Sequence, residues 1–229
     1  MKNPTLFLKV IQNLAHKKAR INQPYPKGNA GYTLIELLVV AIMIGLLAAI
    51  AAPGWLSFVS QRRLSKANDV ILGALQEAQS QAKNRKVSYS VAIKTAANDV
   101  PKIAVYRTQN PDGTYVNPDT DLKPDTWRSL GQDLDIKAKQ VILQTNLQKE
   151  NNGDPPLLNK PIITFDYMGA LPRGSKIDPP LTISVALPQG DGITPINSTK
   201  RCVKITTLIG TMTIGRGQYD QANNPQGCP

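Results

Sequence analysis

Residues 37–52 contain no charged side chain, and this run constrains the chain more than any other feature. With Leu34 and Ile35 ahead of it and Trp55 and Leu56 behind, the apolar segment reaches about 20 residues, enough to cross about 30 Å of hydrocarbon as a helix. One carboxylate, Glu36, stands inside its leading edge. An unpaired carboxylate is costly in lipid, so Glu36 needs a partner and is a functional candidate by default.

The charge around the run is uneven. The chain has 229 residues and a formal net charge of +11. Residues 1–31 contribute +6 with no acid, residues 32–84 contribute +1, and residues 85–229 contribute +4. A basic stretch ahead of an apolar span stays on the cytoplasmic side. A secretory signal peptide is the ordinary alternative, but its apolar region runs 7–15 residues and ends in a small-residue cleavage site. Here the run is longer, and Pro53 directly follows the alanine-rich stretch 48–52. An uncleaved anchor is the other alternative.

The hexapeptide Gly31-Tyr32-Thr33-Leu34-Ile35-Glu36 resembles the processing site of type IV prepilins and type II secretion pseudopilins. The basic leader, the apolar run and the placement of Pro53 strengthen that resemblance, which covers about the first quarter of the chain. It implies cleavage between Gly31 and Tyr32 by a prepilin peptidase, which also N-methylates Tyr32. It further implies assembly through Glu36, whose carboxylate pairs with the Tyr32 amine of a neighbouring subunit. Implied partners are other pilin or pseudopilin subunits, the peptidase/methyltransferase, the inner membrane and its assembly platform. The expected location is the inner membrane, single-pass, with the head on the periplasmic side, and then an extracellular pilus or a periplasmic pseudopilus.

Gly45 and several alanines give the span a small-residue face that other helices can approach. Pro53-Gly54 predicts a kink or local loosening, because proline removes a backbone donor and crowds the preceding turn. From Leu56 the apolar positions fall mostly three or four apart: Val59, Leu64, Ala67, Ile71, Ala74, Leu75, Ala78 and Ala82. That spacing predicts an amphipathic helix ending near Asn84. After Arg85 the period becomes two. Strands are expected at 87–93, 102–107, 140–145, 162–167 and 181–187, with a last pair at 202–207 and 211–214. Turns are expected at 98–99 and 151–156 and a surface loop at 109–126, with Trp127 anchoring the loop by packing. The segment 168–174 breaks the fourth strand.

The expected fold class is α+β. A long N-terminal helix, transmembrane over 32–56 and amphipathic over 57–84, packs on an antiparallel β-sheet head over 85–229, as in type IV pilins. The strand and turn from Phe165 to Gly169 and the last hairpin ending in Gly215-Arg216 resemble the GspH/FimT group of minor pilins and pseudopilins.

Cys202 and Cys228 are the two cysteines, neither in a metal-type or Cys-x-x-Cys spacing. In a translocated domain such a pair reads as one disulfide. Closing a loop of this size stabilises by about 3 kcal/mol on the chain-entropy model. No enzyme, cofactor or metal is expected. The lone histidine, His16, lies in the leader, and no phosphate-binding loop or nucleophile elbow is present. Asp119, Asp121 and Asp125 lack EF-hand spacing and read as solvated loop acids.

The stretch containing Lys200, Arg201, Lys204 and Arg216 is basic. Some relatives of the FimT type bind DNA through a Gly-Arg-x-Arg pattern near the C-terminus. Here Gly215-Arg216-Gly217-Gln218 has glutamine at the second arginine position, which counts against DNA as a partner. So few phosphate contacts bind weakly and are lost in salt. The expected function is a minor type IV pilin or pseudopilin. The alternatives are a type II secretion pseudopilin of GspH type and a DNA-binding minor pilin for DNA uptake.

Overall fold

The computed structural model describes residues 31–95, 99–131, 136–147, 161–172 and 180–229. The expected leader, the turn at 151–156, Asn98 and the end of the 168–174 breaker lie outside the described residues. The chain divides into two units, one ending at Ile50 and one running from Ala51 to Pro229.

In the first unit the described chain enters helix α1, Leu34–Arg85, whose course continues into the second unit through Pro53. Every residue of this unit's helical part is exposed.

The second unit holds the rest of α1 and eight strands: β1 Tyr89–Lys94, β2 Lys102–Arg107, β3 Trp127–Ser129, β4 Ile142–Thr145, β5 Ile162–Phe165, β6 Leu181–Ala186, β7 Arg201–Ile205 and β8 Met212–Arg216. They form two four-stranded sheets, β3-β2-β1-β5 and β4-β6-β7-β8. Every pairing is antiparallel.

The apolar stripe of α1 lies in the core between these sheets' side chains. Leu64, Ala67, Ile71, Ala74, Leu75, Ala78 and Ala82 are buried, at the spacing that one helix face requires. They share a cluster with Val91 and Ile103, Ile163 and Phe165, and Ile183, Val203 and Ile205. The stripe starts later than the spacing alone suggests. Leu56 is 68% exposed, and Asn68, a polar residue, is buried within the stripe.

The expected surface loop does more than cross the surface. Val116 and Leu122 pack with Ala92, Tyr106 and Ile162 in a second, smaller cluster, and Trp127 closes it. β1 is therefore covered on both faces: Val91 looks into the main core and Ala92 into this one. The hydroxyl of Ser90 bonds those of Thr108 and Thr164, each at 2.8 Å, so three buried polar groups satisfy one another.

Candidate assembly segment

The first turn of α1 is built by its own sequence. Thr33 is the N-cap: the N–H of Glu36 donates to Thr33 Oγ1 at 3.3 Å, and Thr33 O accepts from Glu36 and Leu37. Ser/Thr-x-x-Glu ahead of an apolar run is the sequence signature of this arrangement. It gives a first-turn N–H, which also reaches Thr33 O, a side-chain acceptor. Thr33 is thus a functional residue that the motif reading passed over, although Thr33-Leu34-Ile35-Glu36 contains the signal. Gly31 and Tyr32 precede the cap, and Tyr32 is 74% exposed.

From Leu34 onward the large apolar side chains have no cover. Ile35, Leu37, Leu38, Ile42, Leu46 and Ile50 are all exposed. No residue in the most apolar 18-residue window of this helix is buried. Among the described residues this is one helix long and apolar enough to cross a membrane. Glu36 stands in its first turn.

Further along α1, within the second unit, the Trp55 and Phe58 rings stand 5.9 Å apart. The Arg62 guanidinium lies 4.9 Å above Phe58, a cation–π distance. Pro53 and Gly54 sit just before this group, inside the helix.

The four C-terminal cations do not form one patch. In a strand, alternate residues face opposite sides of the sheet. Lys200 and Lys204 fall on the side of Cys202, where the tail of the chain lies. Lys200 Nζ donates to Pro229 O at 3.0 Å, and Lys204 Nζ to the carbonyls of Gln226 and Gly227. Arg201 falls on the other side, toward α1, where its Nη2 donates to Gln61 Oε1 at 3.1 Å. Arg201 and Arg216 are direct cross-strand partners. Burial, and next the charge of Arg216, push the Arg201 guanidinium below its ordinary pKa, while Asp69 opposes the shift. Gln61 is the second residue that the sequence did not flag.

Cys202 and Cys228 are bonded, and both are buried. The tail crosses so close to β8 that a Cβ on Gly215 would lie 2.6 Å from Gln226 O and 2.7 Å from Cys202 Sγ. Asp119, Asp121 and Asp125 are each engaged locally or exposed. Asp121 accepts from Thr120 and from the N–H of Asn117, and Asp119 lies 3.9 Å from Lys94 Nζ. Among the described residues no three His, Cys, Asp or Glu side chains are gathered as a metal site.

Residues 26–52 match the family model described as the prokaryotic N-terminal methylation motif. A stretch of 71 residues is 41% identical to the type IV major pilin protein PilA of Myxococcus xanthus (strain DK1622), covering 31% of each chain. The chain is similar in part to a type IV pilin. The matched stretch spans about a third of that relative's length. The fold is similar to the type IV minor pilin FimU of Pseudomonas aeruginosa (strain PAO1), solved in two crystal forms. One alignment has 15% identity and a TM-score of 0.42, covering 75% of this chain and 99% of that one. The other has 14% identity and a TM-score of 0.39, covering 72% and all of that chain. At those levels the likeness says nothing about what the head does.

Proposed function

We propose that this chain is a minor type IV pilin or pseudopilin: a membrane-inserted precursor, cut between Gly31 and Tyr32, N-methylated at Tyr32 and built into a filament through its N-terminal helix. One observation carries the reading: among the described residues an apolar helical window with no buried residue lies in a helix whose capped start holds a single carboxylate. A monomer in water does not keep such a surface; it marks a membrane or a partner.

In the membrane the apolar side chains face lipid. In a filament the same side chains face the helices of neighbouring subunits, and Gly45, with open space at its Cβ position, permits close approach. Cleavage creates an amine at Tyr32, about one helical turn from Glu36. Pairing that amine with the Glu36 carboxylate of a neighbour gives each buried charge a partner and fixes the register between subunits. Partners on this reading are other pilin subunits, the peptidase and the assembly platform. A type II secretion pseudopilin uses the same helix, and a gene neighbourhood of secretion rather than pilus components would favour it. DNA uptake is disfavoured because Lys200 and Lys204 are engaged by tail carbonyls.

Mass spectrometry of the mature N-terminus tests the reading. The expected product begins at Tyr32 with a methylated amine, and Gly31→Leu leaves the precursor uncut. A mature start at Pro53 or later refutes it.

A further inference from the structure

A group of guanidiniums lies where the apolar run gives way to the packed part of α1. Arg201 and Arg216 face each other across β7 and β8 with no acid between them. Like charges directly opposite destabilise a strand pair. Arg201 has one acceptor, Gln61, while its Nε is buried without one. Arg216 is exposed, and none of the ion pairs among the described residues includes it. The pair therefore presents donors, repels itself, and lacks a counter-charge at contact distance.

Its position along α1 says what that counter-charge is. Phe58 lies one helical turn before Gln61, about 4.5 Å along the axis. Trp55 and Phe58, 66% and 48% exposed, end the apolar run. Aromatic rings at the end of an apolar span mark the headgroup layer. Arg62 lies over Phe58, and residues 55–69 contain three cations and one acid, Asp69, which acts on Arg201 without forming an ion pair at contact distance. Cations just beyond a span oppose the orientation set by the basic leader, so their presence there calls for a separate reason.

We propose that Arg201 and Arg216 form a site for the phosphate of anionic phospholipids, in the leaflet on the head's side of the membrane. This rests on reading the apolar segment as membrane-inserted. The guanidinium fork matches phosphate oxygens in pairs. A phosphate between Arg201 and Arg216 replaces their repulsion with two charge-assisted contacts. Free phosphate has the same chemistry, but the aromatic pair places the site at lipid headgroups. Lys200 and Lys204 lie on the opposite side of the sheet and take no part.

The test uses the full chain with Trp127→Phe, which leaves Trp55 as the sole tryptophan, in phosphatidylcholine vesicles. A minor fraction of the lipid is brominated, either as phosphatidylglycerol or as phosphatidylcholine, and Trp55 quenching reports which lipid gathers beside it. The expected result is stronger quenching by the anionic lipid, a preference of about fivefold per guanidinium. Arg216→Gln, a change at an exposed edge position, lowers the preference about fivefold, and the Arg201→Gln/Arg216→Gln double variant brings it near parity. Lys86→Gln, at the far end of α1, leaves it unchanged. Equal quenching by both lipids in the parent, or a preference that survives the double variant, overturns the proposal. Loss of the preference on adding inorganic phosphate or a single-stranded oligonucleotide overturns it in favour of a soluble anion or a nucleic acid. Absence of quenching by either lipid overturns the membrane-inserted reading itself, and this site with it.

Discussion

Gln79 joins three parts of the second unit, and Gly210 is where that junction is most easily broken. From α1, Gln79 Nε2 donates to Gly169 O at 2.8 Å and to Gly210 O at 3.1 Å, with Ile209 O at 3.4 Å. The two turns that supply these carbonyls are also tied by Leu171 N–H to Leu208 O at 2.8 Å. Gly210 has φ +80°, and a Cβ there would lie 2.5 Å from Gln79 Nε2 and 2.8 Å from Gly169 O. Gly210→Ala therefore costs about 1 kcal/mol for a left-handed alanine. It costs about 2 kcal/mol more for two displaced hydrogen bonds. A total of about 3 kcal/mol lowers the melting temperature by about 6–12 °C in a domain of this size. Circular dichroism melts of the full chain in detergent measure it. Gly190→Ala, at a position with open space, serves as the control and should melt with the parent. Gln79→Ala alone should cost about 2 kcal/mol, and in that background Gly210→Ala should cost less than in the parent, because part of its clash has gone. A Gly210→Ala protein that melts within about 2 °C of the parent refutes the junction.

Glu36→Val should be inserted and cleaved normally but recruited to filaments at least tenfold less, since a buried amine without its partner costs about 3 kcal/mol. Immunoblots of sheared filaments against the membrane fraction check this, and normal recruitment removes the pairing role. Reduction, or Cys202→Ser with Cys228→Ser, should cost about 3 kcal/mol and loosen the tail while α1 stays helical. Thiol labelling before and after reduction, with a helical signal at 222 nm, reads both. The carboxyls of Asp191 and Asp220 sit below the ordinary 3.8, held foremost by the side chains of Thr194 and Asn223 and then by turn N–H groups. A depressed folded pKa contributes stability above 3.8 that is lost as pH falls through the lower folded value. Amide exchange at Thr194 and Asn223 should therefore be flat with pH above 3.8, after correction for intrinsic exchange, and should accelerate as pH falls from there through the lower folded value. Acceleration beginning near neutrality contradicts the assignment.

Much of the fold is legible because period alone reports it. The strand at 102–107 is observed as read, and the helix ends one residue beyond Asn84. Several features escaped for identifiable reasons. β3 is three residues long, too short to show alternation, and exists because Trp127 and Arg128 pair with Ala104 and Ile103. Arg128 also holds Glu77 of α1 through both carboxylate oxygens. The division of the strands into two sheets depends on pairing across long separations, which periodicity does not encode. Asn68 carries no apolar signal, yet it falls on the helix face shared by Leu64 and Ile71 and is buried. The separation of Lys200 and Lys204 from Arg201 follows from the strand period itself, and parity would have exposed it. The Gln79 junction had no signal, since its partners lie 90 to 131 residues away.

The sheet orders have a consequence for the proposed filament, in which copies would stand side by side. Among the described residues the outer strands β3, β4, β5 and β8 have three, four, four and five residues, while the inner strands β1, β2 and β6 have six each and β7 five. A long bare edge is a template on which another chain can add a strand, and crowding raises that hazard. Here three of the four templates are shorter than any inner strand, and the tail passes against the fourth, β8, at Gly215. Neighbouring heads therefore gain little by exchanging backbone hydrogen bonds, and a concentrated array of them resists fusing into a shared sheet. The spacing and order of subunits are then left to side-chain contacts, which can form and part without unravelling the fold.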